Sequence, residues 1–319
     1  MDKVSIILNS YNQNEYFEKA IISALNQTYK NFELIISENG STDGSKQTVE
    51  KYITDTRIKI LNYKENDIVG KRFNQAIKMS SGDYLCFLYS DDYIEKNKIE
   101  EQIKIFKSLD KDYGVVYSDV KIVNENNEYV KNREVIKCDG WSLKYQLDNI
   151  HNFGHIDMVS PLIKKECLIK HKFLENIFAE GEGILLRVAQ DYKFKHIPKI
   201  LVSFRDTKFN RGKALIKNLN FHIQTLKILK KNKIFNKKNY KKSLNKYIFY
   251  FNLNIAWGNL RANGKKSDTI KILFYLFKNK NIFFFNFKIY LILILLIFPN
   301  FLISIFNNFL NKVFNVKTK

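Results

Sequence analysis

Two hydrophobic rhythms alternate along the first 120 residues. Val4 to Leu8 is a short, partly β-branched apolar run, the pattern of a strand covered on both faces. Glu15 to Asn26 then places Phe17, Ala20, Ile21, Ala24 and Leu25 at helical spacing. Phe32 to Ile36 reads as a second strand, followed by the turn-rich loop ENGSTDGS. A helix at Ser45–Ile53, a strand at Ile58–Asn62, a helix at Val69–Met79 and a buried strand at Tyr84–Tyr89 complete the series. Residues 113–206 add strands at YGVVYSDV and KILVSF and a helix near Gly183–Gln190. The order predicts an α/β fold, a mostly parallel sheet flanked by helices.

Ligands of such sheets bind at the carboxyl ends of the strands. Three polar motifs fall at those ends: NSYN after the first strand, ENGS after the second and YSDD after the fourth. Their convergence on one edge says more than any one of them alone.

Beyond residue 207 the rhythm changes, so the expected division is 1–206 and 207–319. Lys227 to Lys246 carries nine lysines and no acid, in a helical pattern punctuated by Leu, Ile and Tyr. Ile289 to Phe306 then runs 18 residues without a charge. As a helix that is about 27 Å, marginal for a bilayer core, and Pro299 and Asn300 interrupt it.

Charge sharpens this division. The formal net charge is +21, yet residues 207–319 hold 23 Lys and Arg against one acid, Asp268, while the first 206 residues are nearly neutral. That asymmetry, without a recognised motif, argues against nucleic acid as a partner. Two readings of the C-terminal region stay open. Its lysines meet anionic headgroups while the apolar tail enters the bilayer, or a C-terminal helix packs on the first domain. YLILILLIF offers water no polar face, which favours the bilayer, and the lysines then keep the chain on the cytoplasmic side. Hydrophobic residues at 45% exclude a disordered chain. Cys86, Cys138 and Cys167 are widely spaced, with no C-x-x-C pair, and read as reduced thiols. VSIILNSYN at the start lacks the features of a secretory signal.

The line VSIILNSYNQNEYFEKAIISALNQTYKNFELIISENGSTDGS resembles the opening of the inverting family 2 glycosyltransferases of the GT-A fold, and SSGDYLCFLYSDDYI resembles the line ending in their metal-binding Asp-x-Asp. The resemblance covers roughly residues 3–206. The chain departs from the family pattern at Asn9, where a proline is usual, at Glu38-Asn39, where Asp-Asp is usual, and at Tyr89, which replaces the first Asp of the metal motif.

The resemblance implies a nucleotide-sugar donor and a divalent cation, Mn2+ or Mg2+, at Asp91 and Asp92. Carboxylate oxygens suit such a cation, which neutralises a departing diphosphate. The competing reading of the pair is an N-cap on a helix through YIEKNKIEEQIKIF. Ser10, Tyr11, Glu38 and Asn39 match the family's nucleoside-contacting positions, and the resemblance also implies a nucleotide contact for Asp91. Glu38 reads equally as a cap for its own loop. The family commonly has an Arg just before the position of Asn74; Phe73 stands there and Arg72 precedes it, a candidate for the diphosphate beside Lys71.

Inversion needs a base to deprotonate the acceptor hydroxyl. In AEGEGILLRVA the family's Glu-Asp places, counted back from Arg187, hold Glu180 and Gly181, so Glu182 and then Glu180 are the candidates. Both are also ordinary helix-start acids. His155 and Asp157 rank below them.

The expectation is an inverting transferase of bacterial cell-surface glycan assembly. It would act at the cytoplasmic face of the inner membrane, with a saccharide or lipid-linked saccharide acceptor. The alternative is a catalytically impaired, glycosyltransferase-like scaffold subunit.

Overall fold

The computed structural model describes residues 2–176, 181–207, 210, 238–261, 265–278 and 287–298. The chain divides into two compact units: Met1–Gln146 with Asn152–Thr207, and Leu147–His151 with Lys208–Lys319.

The first unit is built on a ten-stranded mixed sheet. In chain order, its first half runs β1 (Val4–Ser10), α1 (Asn14–Leu25), β2 (Phe32–Glu38), α2 (Ser45–Glu50), β3 (Ile58–Asn62), α3 (Val69–Met79), β4 (Tyr84–Tyr89), β5 (Tyr93–Ile94) and α4 (Lys98–Phe106). There follow β6 (Tyr113–Val123), β7 (Tyr129–Arg133), β8 (Asp139–Gly140), α5 (Leu143–Phe153), β9 (Leu162–Lys164), α6 (Lys165–Lys170), α7 (Gly181–Val188) and β10 (Lys193–Arg205). The strand order is β3-β2-β1-β4-β9-β6-β10-β5, with β7 on β6 and β8 on β10. β3, β2, β1 and β4 are parallel, and β6 is parallel to β10. β9 lies antiparallel between β4 and β6.

Alternation along β1 sends Val4, Ile6 and Leu8 to one face, where Phe17, Ala20, Ile21 and Ala24 of α1 and Ile99, Ile103 and Phe106 of α4 cover them. On the opposite face Phe73 of α3 meets Phe87 of β4 edge-on, with ring centroids 4.7 Å apart. Coverage on both faces explains why the central strands are continuous apolar runs. The start of the sheet holds a buried polar contact: the Ser5 hydroxyl and the Ser81 N–H both donate to Glu33 Oε1 over 2.6 Å. Lys59 Nζ and Lys3 Nζ lie 2.8 and 3.5 Å from Glu33 Oε2.

One expected element is corrected. Tyr93 and Ile94 form β5, paired antiparallel with Val202 and Ser203 of β10, and the helix begins only at Lys98. Asn97 occupies its N-cap position, so Asp91 and Asp92 do not cap it. α7 begins two residues before the expected helix.

In the second unit α8 (Lys238–Arg261), α9 (Lys266–Lys278) and α10 (Phe287–Ile297) are described. Among the described residues no helix is long and apolar enough to cross a membrane. Residues 299–306 of the apolar run lie outside the described residues, as do residues 227–237 of the lysine-rich stretch.

Candidate active site

The ends of β1, β2 and β4 lie side by side. Ser10 is in register with Glu38, and Asn9 with Tyr89. The ladder continues one step past each strand, with Asn39 N–H donating to Ser10 O (2.9 Å) and Ser90 N–H to Asn9 O (3.1 Å). The three motifs therefore share one edge.

The first two loops are tied reciprocally. Asn12, at φ 48°, donates its N–H to Ser41 Oγ (3.0 Å) and accepts the Thr42 N–H on Oδ1 (2.8 Å). Asp43 accepts from Asn14 N–H (2.8 Å) at the start of α1 and from the Ser45 hydroxyl (2.6 Å) at the start of α2. Burial alone would raise the Asp43 carboxyl, but these hydrogen bonds outweigh it and hold the group below the usual carboxylate range. Glu38 turns its carboxylate onto its own loop, accepting the Gly40 N–H on Oε2 (3.1 Å) and the Ser41 N–H on Oε1 (2.9 Å). Gly40 sits at φ +79°, and a Cβ there would meet the Glu65 backbone carbon at 2.5 Å. Only glycine fits that close approach.

Asn39 joins this loop to the one before α3. Its amide donates to Asn66 Oδ1 and Asp67 O, both at 2.8 Å, and its Oδ1 accepts from Asp67 N–H (3.0 Å) and Arg72 Nε (2.7 Å). Buried Arg72 also donates to Glu65 O (2.8 Å) and Gln75 Oε1 (3.2 Å), with its guanidinium 3.5 Å from the centroid of the Tyr63 ring. Its donors are directed into the loops. Lys71 pairs with Asp67 at 2.7 Å.

Asp91 and Asp92 are 8% and 2% exposed. Gln13, which sequence reasoning did not single out, bridges the first loop to them. Its Nε2 donates to Asp91 Oδ2 (3.2 Å) and its Oε1 accepts from the Ser90 hydroxyl (3.0 Å). Arg205, also missed, closes the pair from the end of β10. Its backbone N–H donates to Asp92 Oδ1 (2.9 Å) and its Nε to Asp91 O (2.8 Å), while Nη1 reaches Glu125 O (3.0 Å). The guanidinium stands 4.4 Å from the Tyr16 ring centroid. The one signal available for Arg205 was a charge following the mostly apolar run ILVSF at the end of β10.

Burial and the neighbouring charge of Asp91 push the Asp92 carboxyl well above the usual carboxylate range. The hydrogen bond and charge of Arg205 oppose this, and the charge of Asp157 adds to it. Asp157 thus lies within electrostatic reach of Asp92, while Arg133 pairs with it at 3.1 Å.

Ser10 Oγ and Asn9 Oδ1 are buried with no hydrogen-bond partner among the described residues. Tyr11 follows them at half-burial. Tyr89 packs its ring against Phe73, with centroids 5.9 Å apart. Asn74 accepts the Phe173 N–H (3.1 Å) and donates to Glu175 Oε1 (2.8 Å). Glu182 lies in the first turn of α7, and Glu180 falls outside the described residues. Arg187 of the same helix donates to Lys172 O over 2.9 Å.

The sequence profile of glycosyl transferase family 2 matches residues 5–170, more than half of the chain. The chain belongs to that family. An uncharacterized glycosyltransferase of Rickettsia conorii is 36% identical over 136 residues, 42% of this chain and 22% of that protein. WfgD of Escherichia coli, a UDP-Glc:alpha-D-GlcNAc-diphosphoundecaprenol beta-1,3-glucosyltransferase, is 38% identical over 125 residues, 39% of this chain and 48% of that protein. The mannosyltransferase PcManGT of Pyrobaculum calidifontis, solved with GDP-Man and Mn2+, superposes with a TM-score of 0.60 at 14% identity, covering 86% of this chain and 75% of that one. The chain spans less than half the length of the Rickettsia and E. coli relatives. The family fold is thus the α/β architecture with a flanked central sheet described above.

The family's divalent cation has a fitting pair of residues here. Asp91 and Asp92 supply hard oxygens, and the like charge that raises Asp92 is what a cation relieves. Among the described residues no group of three or more His, Cys, Asp or Glu side chains is placed to hold a metal ion.

Proposed function

We propose that this chain transfers a sugar, with inversion, from a nucleotide-diphosphate donor to a saccharide acceptor in bacterial cell-surface glycan assembly. The observation that carries the reading is the buried Asp91-Asp92 pair at the shared edge of β1, β2 and β4, braced by Gln13 and Arg205. Asp91 and Asp92 would hold the divalent cation, which supplies charge neutralisation for the departing diphosphate.

Ser10, Tyr11 and the Glu38-Asn39 loop take the nucleoside. The buried Ser10 hydroxyl, without a partner among the described residues, supports a ligand hydrogen bond there. Arg72 serves the site through Asn39, which it fixes at 2.7 Å. Glu182, in the first turn of α7, is the proposed base, with Glu180 second. WfgD, by its name, acts on a diphosphoundecaprenol-linked sugar. With the lysine excess of residues 207–319, this supports a lipid-linked acceptor at the cytoplasmic face of the inner membrane.

The test is donor hydrolysis and transfer by the full chain across a panel of UDP and GDP sugars, with and without Mn2+. Asp91→Ala is expected to lower turnover by at least about a hundredfold. Glu182→Gln should lower transfer by about 10²–10⁴-fold while leaving donor binding intact. If the unmodified protein binds no nucleotide sugar in the presence of metal, the enzymatic reading fails.

A further inference from the structure

In the second unit, Leu253, Ala256 and Leu260 of α8 form a core with Ile272, Leu273 and Leu276 of α9 and with Ile289, Ile292 and Leu295 of α10. That core uses one side of α9 and of α10, yet each helix also exposes large apolar residues. On α9, Ile270, Phe274 and Phe277 recur at i, i+4 and i+7, with Phe274 68% exposed. On α10, Tyr290, Leu293, Ile294 and Ile297 recur at i, i+3, i+4 and i+7, with Ile297 82% exposed. Each set is a stripe along one helix face. Lys266 Nζ, at the start of α9, donates to Leu296 O over 2.9 Å and to Phe298 O, so the two helices are neighbours at that end. Isolated exposed apolar residues need no explanation, but seven large ones in two stripes do.

The charges around the stripes identify what covers them. Lys241, Lys242, Lys265, Lys271 and Lys288 are exposed in the same unit. Residues 207–319 hold a single acid, Asp268, and Lys271 lies 3.6 Å from it. At about 100° per residue, Lys271 lies about 100° round α9 from Ile270, so a cation flanks the α9 stripe. A second copy of this chain would bring the same lysine excess against this one and be repelled. An anionic lipid surface satisfies both features, with headgroups for the lysines and acyl chains for the stripes.

We propose that α9 and α10 lie in the plane of an anionic membrane surface, with their exposed stripes at the acyl boundary and the lysines among the headgroups. The inference rests on the membrane reading given under the proposed function and specifies its contact face.

The experiment uses the full chain and phosphatidylcholine vesicles with and without phosphatidylglycerol. The protein should sediment with the anionic vesicles and be released by salt. Phe274→Glu combined with Ile297→Glu should reduce partitioning at least about tenfold. In case that variant misfolds, Phe274→Trp and Ile294→Trp keep these exposed positions largely apolar. Their emission should shift to the blue on binding and be quenched by brominated acyl chains. Three results overturn the proposal: no sedimentation of the full chain, unchanged partitioning of the double Glu variant, or bound tryptophans that brominated lipid does not quench. A double Glu variant that changes oligomeric mass instead of partitioning also overturns it, and marks a self-association face. Donor hydrolysis is followed in the same preparations. Lost vesicle binding with intact, Asp91-dependent hydrolysis refutes this face alone, whereas absent hydrolysis refutes the glycosyltransferase reading.

Discussion

Phe73 and Tyr89 pack ring on ring, centroids 5.9 Å apart, at the end of β4. These are the two positions where the family pattern commonly has an Arg and an Asp. Phe73 is also 4.7 Å from Phe87 and 5.1 Å from Phe173, so the replacement extends an aromatic cluster up to the candidate metal site. Two packed aromatic rings occupy the positions where the pattern has charges.

The two substitutions back toward the family pattern should therefore be coupled. Tyr89→Asp alone places a carboxylate beside the Phe73 ring and should cost about 2–3 kcal/mol. Phe73→Arg alone strands a guanidinium among aromatics and should cost about 3 kcal/mol or more. Together they should cost less than the sum by at least about 1 kcal/mol, read from urea denaturation as a double-mutant cycle. Strict additivity would mean that the two side chains do not act as a pair.

Arg205 should prove a positioning residue for the acidic pair. Arg205→Lys keeps a cation but loses the planar fork that reaches Asp91 O and Glu125 O. Nucleotide-sugar turnover should fall about tenfold, and stability should drop by about 2–4 kcal/mol because a buried, hydrogen-bonded charge is disturbed. A purely structural role would lower stability without changing the metal concentration at which turnover is half-maximal; the expected result is that this concentration rises.

Glu33 sets an acid limit on stability. Burial alone would raise its carboxyl, but hydrogen bonds from Lys59, Ser5 and Ser81 bring it from 4.5 down to about 2. A carboxyl depressed in the folded state contributes fully above its unfolded value and loses that contribution as pH falls through its folded one. The loss should run from about pH 4.5 to about pH 2. Glu33→Gln should flatten denaturation midpoints across that window and cost about 1–3 kcal/mol at neutral pH. An unchanged acid limb in the variant would assign the loss to other carboxyls.

The strands β1, β2 and β4 were legible in the sequence because strands buried on both faces leave uninterrupted apolar runs. β5 was not, since Tyr93 and Ile94 continue the apolar spacing of α4 and become a strand only through Val202 and Ser203. β7, Tyr129–Arg133, is largely exposed and carries no alternation to read. At the site, local motifs located Asp91, Asp92, Glu38 and Asn39. The braces Gln13 and Arg205 were invisible because their partners lie far away in the chain. Glu38 illustrates a different limit: a loop acid reads the same whether it waits for a ligand or caps its own turn, and only the folded loop shows its oxygens on Gly40 and Ser41.

The Asn39 side chain satisfies Asn66, Asp67 and Arg72 at once. For protein engineering this makes the two loops a single cassette. Transplanting a relative's β2 loop to change donor preference would strand Arg72 and the segment before α3, so chimeras cut between residues 39 and 72 should express poorly, while those exchanging the whole stretch should retain the host's fold.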